Sequence, residues 1–168
     1  MKDNIILIGF MGCGKSSVGI KLSYCLKRTI IDTDKWIEKK QRVTISEIFA
    51  TKGEAAFRQM ETDCLKELIE TANRQVISVG GGLPMKEENH QLLRQLGKVI
   101  YLKITPEAIY ERLKGDTTRP LLQVEDPMAR IRELLSYRGP IYEKCADVII
   151  EVSDKSFEEI LEQIEANL

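Results

Sequence analysis

The sequence predicts a three-layer α/β/α fold, a five-stranded parallel sheet with helices on both faces. Three observations carry that reading. Short apolar runs alternate with helical patterns along the chain. The first run leads into a glycine-rich pattern at the start of a helix. Glycines and carboxylates then recur where later runs end, at the sheet edge where such folds place their ligands.

The first element is "NIILI", Asn4 to Ile8, an apolar run that reads as a buried strand. "GFMGCGKSS" follows, and "SSVGIKLSYCL" continues it with Val18, Leu22, Cys25 and Leu26 at helical spacing. Gly9, Gly14, Lys15 and Ser16 fit G-x-x-x-x-G-K-[ST] in the strand–loop–helix context that this pattern requires. The chemistry needs these residue types. Glycines let backbone N–H groups converge on phosphate oxygens, and the helix N-terminus favours an anion. Lys15 is placed to neutralise β and γ oxygens, and Ser16 to offer its hydroxyl to Mg²⁺. Gly12, Cys13, Gly14 and Ser17 complete the expected phosphate cradle. Cys13 is either an unusually acidic thiol or simply a small residue that the loop tolerates.

The second strand is "TIID", Thr29 to Asp32. If it ran on through "DTD", its period of two would aim Asp32 and Asp34 to one side. Asp32 is then a candidate beside Mg²⁺ and Asp34 a candidate proton acceptor from a hydroxyl. The same triplet also suits a helix cap. Helical patterns follow over Lys35–Lys40, Thr44–Thr51 and Glu54–Ala72. In the last of these Arg58 and Glu61 stand at i, i+3. They form either a solvated surface pair or an oriented guanidinium facing a carboxylate ligand.

"VISVGGG", Val76 to Gly82, reads as the third strand ending in a turn, where Gly80, Gly81 and Gly82 let a ligand approach bare backbone. A helix near Glu87–Leu96 precedes the fourth strand, "KVIYLKI" (Lys98 to Ile104), and another spans Pro106–Lys114. Arg112 near its end either stacks on a base or complements the helix dipole. The polar stretch "ERLKGDTTRPLLQVEDP" reads as a loop or lid holding Arg119, a cation that would arrive on closure. A helix over Pro127–Lys144 carries Arg138, which faces either a carboxylate or solvent. The fifth strand, "DVIIEV" (Asp147 to Val152), and a helix over Lys155–Ala166 close the chain.

Composition narrows the function. A chain of 168 residues suits one domain, and a net charge of −1 gives no general attraction to nucleic acid. No apolar run reaches membrane-spanning length. The first run ends in the glycine loop, so it is not read as a signal peptide. Cys13, Cys25, Cys64 and Cys145 show no paired spacing and are expected to be reduced thiols in a cytoplasmic protein. His90 is the sole histidine, which disfavours triad or zinc chemistry. No N-K-x-D stands in the chain, so a guanine-nucleotide switch is not supported.

"GFMGCGKSS", "DTD" with "WIE", "ISEIF", "GEAAFR" with Glu61, "VGGG", "RPLL" and "RGPIYEKCAD" together resemble the shikimate kinase family over nearly the whole chain. The phosphate loop alone is shared by many families, but the ordered set is specific. A gluconate kinase has a similar loop, and "GEAAFR" and "RGPIYEKCAD" argue against it. The resemblance implies a P-loop NTPase-like, nucleoside monophosphate kinase-like sheet in the order 2-3-1-4-5. It implies transfer of the ATP γ-phosphate to the 3-hydroxyl of shikimate with one Mg²⁺. The implied catalytic residues are Lys15, Asp34 and Arg119. Arg112 is implied beside adenine, Arg119 near the transferred phosphate, and Ser16 and Asp32 at the metal. Asp34, Arg58, Arg138 and Gly80 to Gly82 are implied at shikimate, with Phe49 and Phe57 as apolar walls. A single domain over 1–168 is expected, with a substrate-binding segment at about 33–61, a lid at about 113–125, and a monomeric state. Cys13 stands where the family commonly has alanine or serine, and Ser17 replaces a frequent threonine.

Overall fold

Strand β1 (Ile5–Ile8) has every residue buried, as expected of a strand covered on both faces. The computed structural model describes residues 2–116 and 123–168. Four more strands, β2 (Ile30–Asp32), β3 (Val76–Ser78), β4 (Lys98–Lys103) and β5 (Val148–Glu151), join β1 in the order β2-β3-β1-β4-β5. All pairings are parallel; β1 is central, with Ile5 facing Val76 of β3 and Lys98 of β4. The order implied by the family resemblance is the order observed.

Eight α-helices connect and cover these strands among the described residues: α1 (Lys15–Leu26), α2 (Thr33–Gln41), α3 (Ile45–Lys52), α4 (Glu54–Thr71), α5 (Glu88–Leu96), α6 (Pro106–Leu113), α7 (Pro127–Cys145) and α8 (Phe157–Ala166). Helix α1 packs on β3 and α8, whereas α5 and α7 pack on β4 and α4 packs on α5. The predicted helices are all present, with ends displaced by a residue or two where caps fix the boundary. Thr44, Thr105, Asp126 and Ser156 each cap a helix by accepting a backbone N–H bond.

One predicted element is markedly shorter than expected. The third strand stops at Ser78, because Val79 to Gly82 turn away and a short 3-10 helix, Leu83–Met85, follows. His90 stands in a polar stretch yet is buried, and its Nε2 lies 2.6 Å from the Pro84 carbonyl. It holds this connection against α5. No helix among the described residues is long and apolar enough to cross a membrane.

Candidate active site

The glycine loop links the end of β1 to α1. Gly12 and Gly14 have φ of +79° and +92°, a region that favours glycine, so the loop can curl over the helix start. Gly14 caps α1 without any side-chain acceptor, which leaves first-turn N–H groups for an anion. Lys15 Nζ folds across the loop and donates to the carbonyls of Gly9 (2.6 Å) and Phe10 (3.3 Å). Cys13 is buried beneath it, with Sγ 3.8 Å from Lys15 Nζ. A cavity of about 320 Å³ opens here; Gly12, Gly14, Lys15, Ser16 and Ser17 line one side, Asp32 and Asp34 the other. Arg112 sits at the outer edge of the loop and donates to the Gly12 carbonyl at 3.0 Å.

Strand β2 does not run through "DTD". It ends at Asp32, whose Oδ1 accepts the N–H groups of Asp34 (2.9 Å) and Lys35 (3.2 Å) and so caps α2. The alternation expected of a continued strand is therefore replaced by a helical turn. Asp34 still reaches the site from the first turn of α2. Burial, and then the neighbouring Asp32, raise its proton affinity, while the Lys15 charge opposes them. Thr33, between the two acids, is fully buried, and its Oγ1 accepts the Gly80 N–H at 3.0 Å. Sequence reading passed over Thr33; its only signal was its place inside the acidic triplet.

The glycine turn is shaped by close approach rather than by unusual backbone. A Cβ at Gly80 would lie 2.7 Å from Asp34 Oδ1, and one at Gly82 would lie 2.6 Å from the Arg58 guanidinium nitrogens. A side chain at either position would displace a candidate site residue. The Gly81 carbonyl accepts a 2.6 Å hydrogen bond from the buried Tyr142 hydroxyl. This contact ties the turn to α7.

A second cavity, of about 260 Å³, lies beyond Asp34 and is lined by Phe57, Arg58, Glu61, Arg138 and all three glycines. Arg58 Nη1 donates to Glu61 Oε1 at 2.7 Å, and its Nη2 lies 3.5 Å from Glu54. Glu61 is only 1% exposed, so the pair is not the solvated surface bridge that the local sequence also allowed. Glu61 Oε2 is buried without a partner among the described residues. Burial pushes the Glu61 carboxyl up to about 7, with the Arg58 charge and hydrogen bond opposing. Arg138 lies over the Phe10 ring, 5.7 Å from its centroid. Phe49 does not line the cavity; it is 39% exposed and stacks behind Phe57 at 5.1 Å.

The two cavities meet at Met11, Asp34, Gly80 and Gly81. One has the chemistry of a polyphosphate site. The other offers two guanidinium groups, a buried carboxyl and an aromatic wall to a small polar acid. The shikimate kinase family model matches residues 11–168. The chain belongs to the shikimate kinase family. It is 47% identical over 161 residues to the shikimate kinase of Thermodesulfovibrio yellowstonii, covering 96% of this chain and 92% of that one. The shikimate kinase of Caldanaerobacter subterraneus subsp. tengcongensis is 44% identical, with 96% and 93% covered. The fold matches shikimate kinase from Acinetobacter baumannii in complex with shikimate at a TM-score of 0.89 and 38% identity, covering 99% of this chain and 93% of that one. Arg119, expected near the transferred phosphate from the family resemblance, lies outside the described residues, as does 117–122 of the expected lid.

Proposed function

We propose that this chain transfers the γ-phosphoryl group of ATP to the 3-hydroxyl of shikimate, releasing ADP and shikimate 3-phosphate. The observation that carries the reading is the position of Asp34, which borders both the phosphate-loop cavity and the arginine-lined cavity. A hydroxyl held there faces a phosphate chain on one side and a carboxylate on the other.

The physical problem is to bring two anions together. Lys15, the loop N–H groups and the α1 N-terminus offset the triphosphate charge. Arg58 and Arg138 hold the acceptor carboxylate away from the reacting oxygen, where bidentate guanidinium contact fixes orientation as well as charge. Glu61 holds the Arg58 guanidinium in place, and Tyr142 and Thr33 hold the glycine turn. Asp34 orients the hydroxyl and accepts its proton, and its raised proton affinity suits that task. Acceleration then comes mainly from alignment and electrostatic stabilisation. We assign Arg119 to the developing charge on the transferred group and Arg112 to the adenine side. Residues of about 33–61 form the substrate-binding segment and about 113–125 the lid that excludes water.

One Mg²⁺ with ATP belongs to this reading, and the donors fit it. Ser16 and Asp32 both line the phosphate cavity and offer hard oxygen ligands, and the capping bonds of Asp32 both fall on Oδ1. Among the described residues no cluster of three or more His, Cys, Asp or Glu forms a cage. That arrangement suits an ion that keeps water and takes phosphate oxygens. When bound, the ion neutralises phosphate oxygens. The reading takes the chain as a monomer. Four free cysteines suit a reducing cytoplasm.

The test is ADP release from Mg-ATP in parallel with shikimate, with gluconate and without acceptor. Release that depends on shikimate alone is expected. Folded, ATP-binding protein that releases no ADP with shikimate overturns the reading, and a response to gluconate in its place reassigns the acceptor.

A further inference from the structure

A third cavity, of about 340 Å³, lies between α1, β2 and α2 and shares no lining residue with the arginine-lined site. The mechanism above does not use it. Ile20, Ile30, Ile31 and Trp36 form its walls, and Lys35 and Lys39 stand at its mouth on successive turns of α2. The apolar walls follow from the fold. Strand β2 is an edge strand, so its outer side lacks the strand neighbour that would cover it. Ile30, Ile31 and Trp36 are each only half-buried, and Ile20 is 48% exposed. A cavity of this size with apolar and aromatic walls and a few charged groups matches the usual composition of a small-molecule site.

Its charge is asymmetric. Among the described residues Asp32 is the only carboxylate lining it, and its Oδ1 is occupied by the α2 cap. Neither Lys35 nor Lys39 forms an ion pair among the described residues. The neighbouring Lys40 differs: it pairs with Glu67 at 3.1 Å and lies 5.6 Å from the centroid of the Trp36 ring. Two unpaired ammonium groups beside an aromatic and aliphatic wall complement a ligand with a flat apolar body and one carboxylate.

The cavity shares Ser16, Asp32 and Ser78 with the phosphate-loop cavity. We propose that it is a second ligand site, which takes a small amphipathic carboxylate with an aromatic or similarly flat body and opposes nucleotide binding through that shared wall. An anion at Lys35 and Lys39 repels the nucleotide phosphates, and its body holds the Ser16 and Asp32 side chains that the nucleotide also needs. Linkage is reciprocal, so bound nucleotide must weaken the carboxylate by the same factor. Occupancy of the cavity is independent of which acceptor the chain phosphorylates. Only the linkage rests on the phosphate-loop reading, and nucleotide affinity measured alone separates the two.

Trp36 is the sole tryptophan in the chain, so its fluorescence reports from inside the cavity. The experiment titrates the full chain with 4-phenylbutyrate and with the neutral 4-phenylbutyramide, with and without saturating Mg-ADP. A saturable change in Trp36 emission is expected, with the carboxylate binding about fivefold tighter than the amide. The Lys35→Ala/Lys39→Ala double variant should remove that preference. Ile20→Glu, at an exposed position of α1, should abolish binding of the carboxylate while leaving Mg-ADP affinity measurable. Mg-ADP should weaken 4-phenylbutyrate by about fivefold or more. No saturable response, or a response unaltered by Ile20→Glu, overturns the site. Equal binding of the amide overturns the carboxylate class. An unchanged affinity under Mg-ADP that binds normally overturns the linkage.

Discussion

Asp34 draws its raised proton affinity first from burial and then from Asp32, two residues away. Both causes survive only while it sits between the loop and the glycine turn. Asp34→Asn keeps the shape and removes the proton acceptor, so kcat should fall by about 10²- to 10⁴-fold. Mg-ADP affinity, measured by calorimetry, should change little; an unchanged kcat would remove Asp34 from the chemistry. Arg58→Ala withdraws a charged, oriented donor from the acceptor cavity and should lower kcat/KM for shikimate by about 10- to 100-fold. The KM for ATP should move far less, and equal losses for both substrates would point to a folding defect. At this scale the sequence revealed chemistry better than environment. Lys15 and Asp34 were legible as reactive types at telling positions, whereas Arg58 and Arg138 stayed open in their own segments and were singled out by the family resemblance alone. The burial of Glu61 was not, because i, i+3 spacing is the same on a wet and a dry helix face. Thr33 was silent for a similar reason: a threonine between two acids shows nothing of the Gly80 amide that it meets across the sheet edge.

The elements were legible where local rules suffice. Apolar runs marked all five strands, and helical periodicity marked the helices. Their ends were set by groups that periodicity does not weigh, such as the Asp32 cap that starts α2 at Thr33, two residues before the expected Lys35. The turn from Gly80 to Gly82 shows what an element can do for a site. Its glycines admit Asp34 and Arg58, and its one carbonyl bond to Tyr142 fixes it to α7, the helix that also carries Arg138. Tyr142→Phe removes that bond and leaves the ring packed. A hydrogen bond of this kind contributes about 1 kcal/mol, so KM for shikimate should rise by about fivefold. ATP parameters should hold, since the loop on β1 is separately anchored. Steady-state kinetics with each substrate varied in turn check this, and a change confined to ATP would show that the turn serves the other cavity.

At the scale of the whole molecule, five parallel strands were legible from alternation, but their order was not. Spacing alone permits several right-handed arrangements, and only the family resemblance singled out 2-3-1-4-5. That order places β1 and β3 side by side, which brings the phosphate loop and the glycine turn together and encloses Glu61 behind Arg58. Enclosure has a global consequence. The Glu61 carboxyl titrates at about 7 in the folded chain, above the ordinary value of 4.5 that it regains on unfolding. The folded state therefore binds the proton more tightly. The stability from this group is fully present below the unfolded value and is lost as pH rises through the folded one. Across that window the loss approaches about 1.4 kcal/mol per pH unit, and it levels off above the folded value. Asp34, also raised, adds a loss of the same sign that is common to any Glu61 variant. Glu61→Gln keeps the size of the side chain and cannot titrate. Urea unfolding of both proteins at a series of pH values should then show the native chain losing stability relative to Glu61→Gln from about pH 5 to about pH 8. A difference that stays constant over that range would mean that the Arg58 charge outweighs burial and keeps Glu61 ionised throughout.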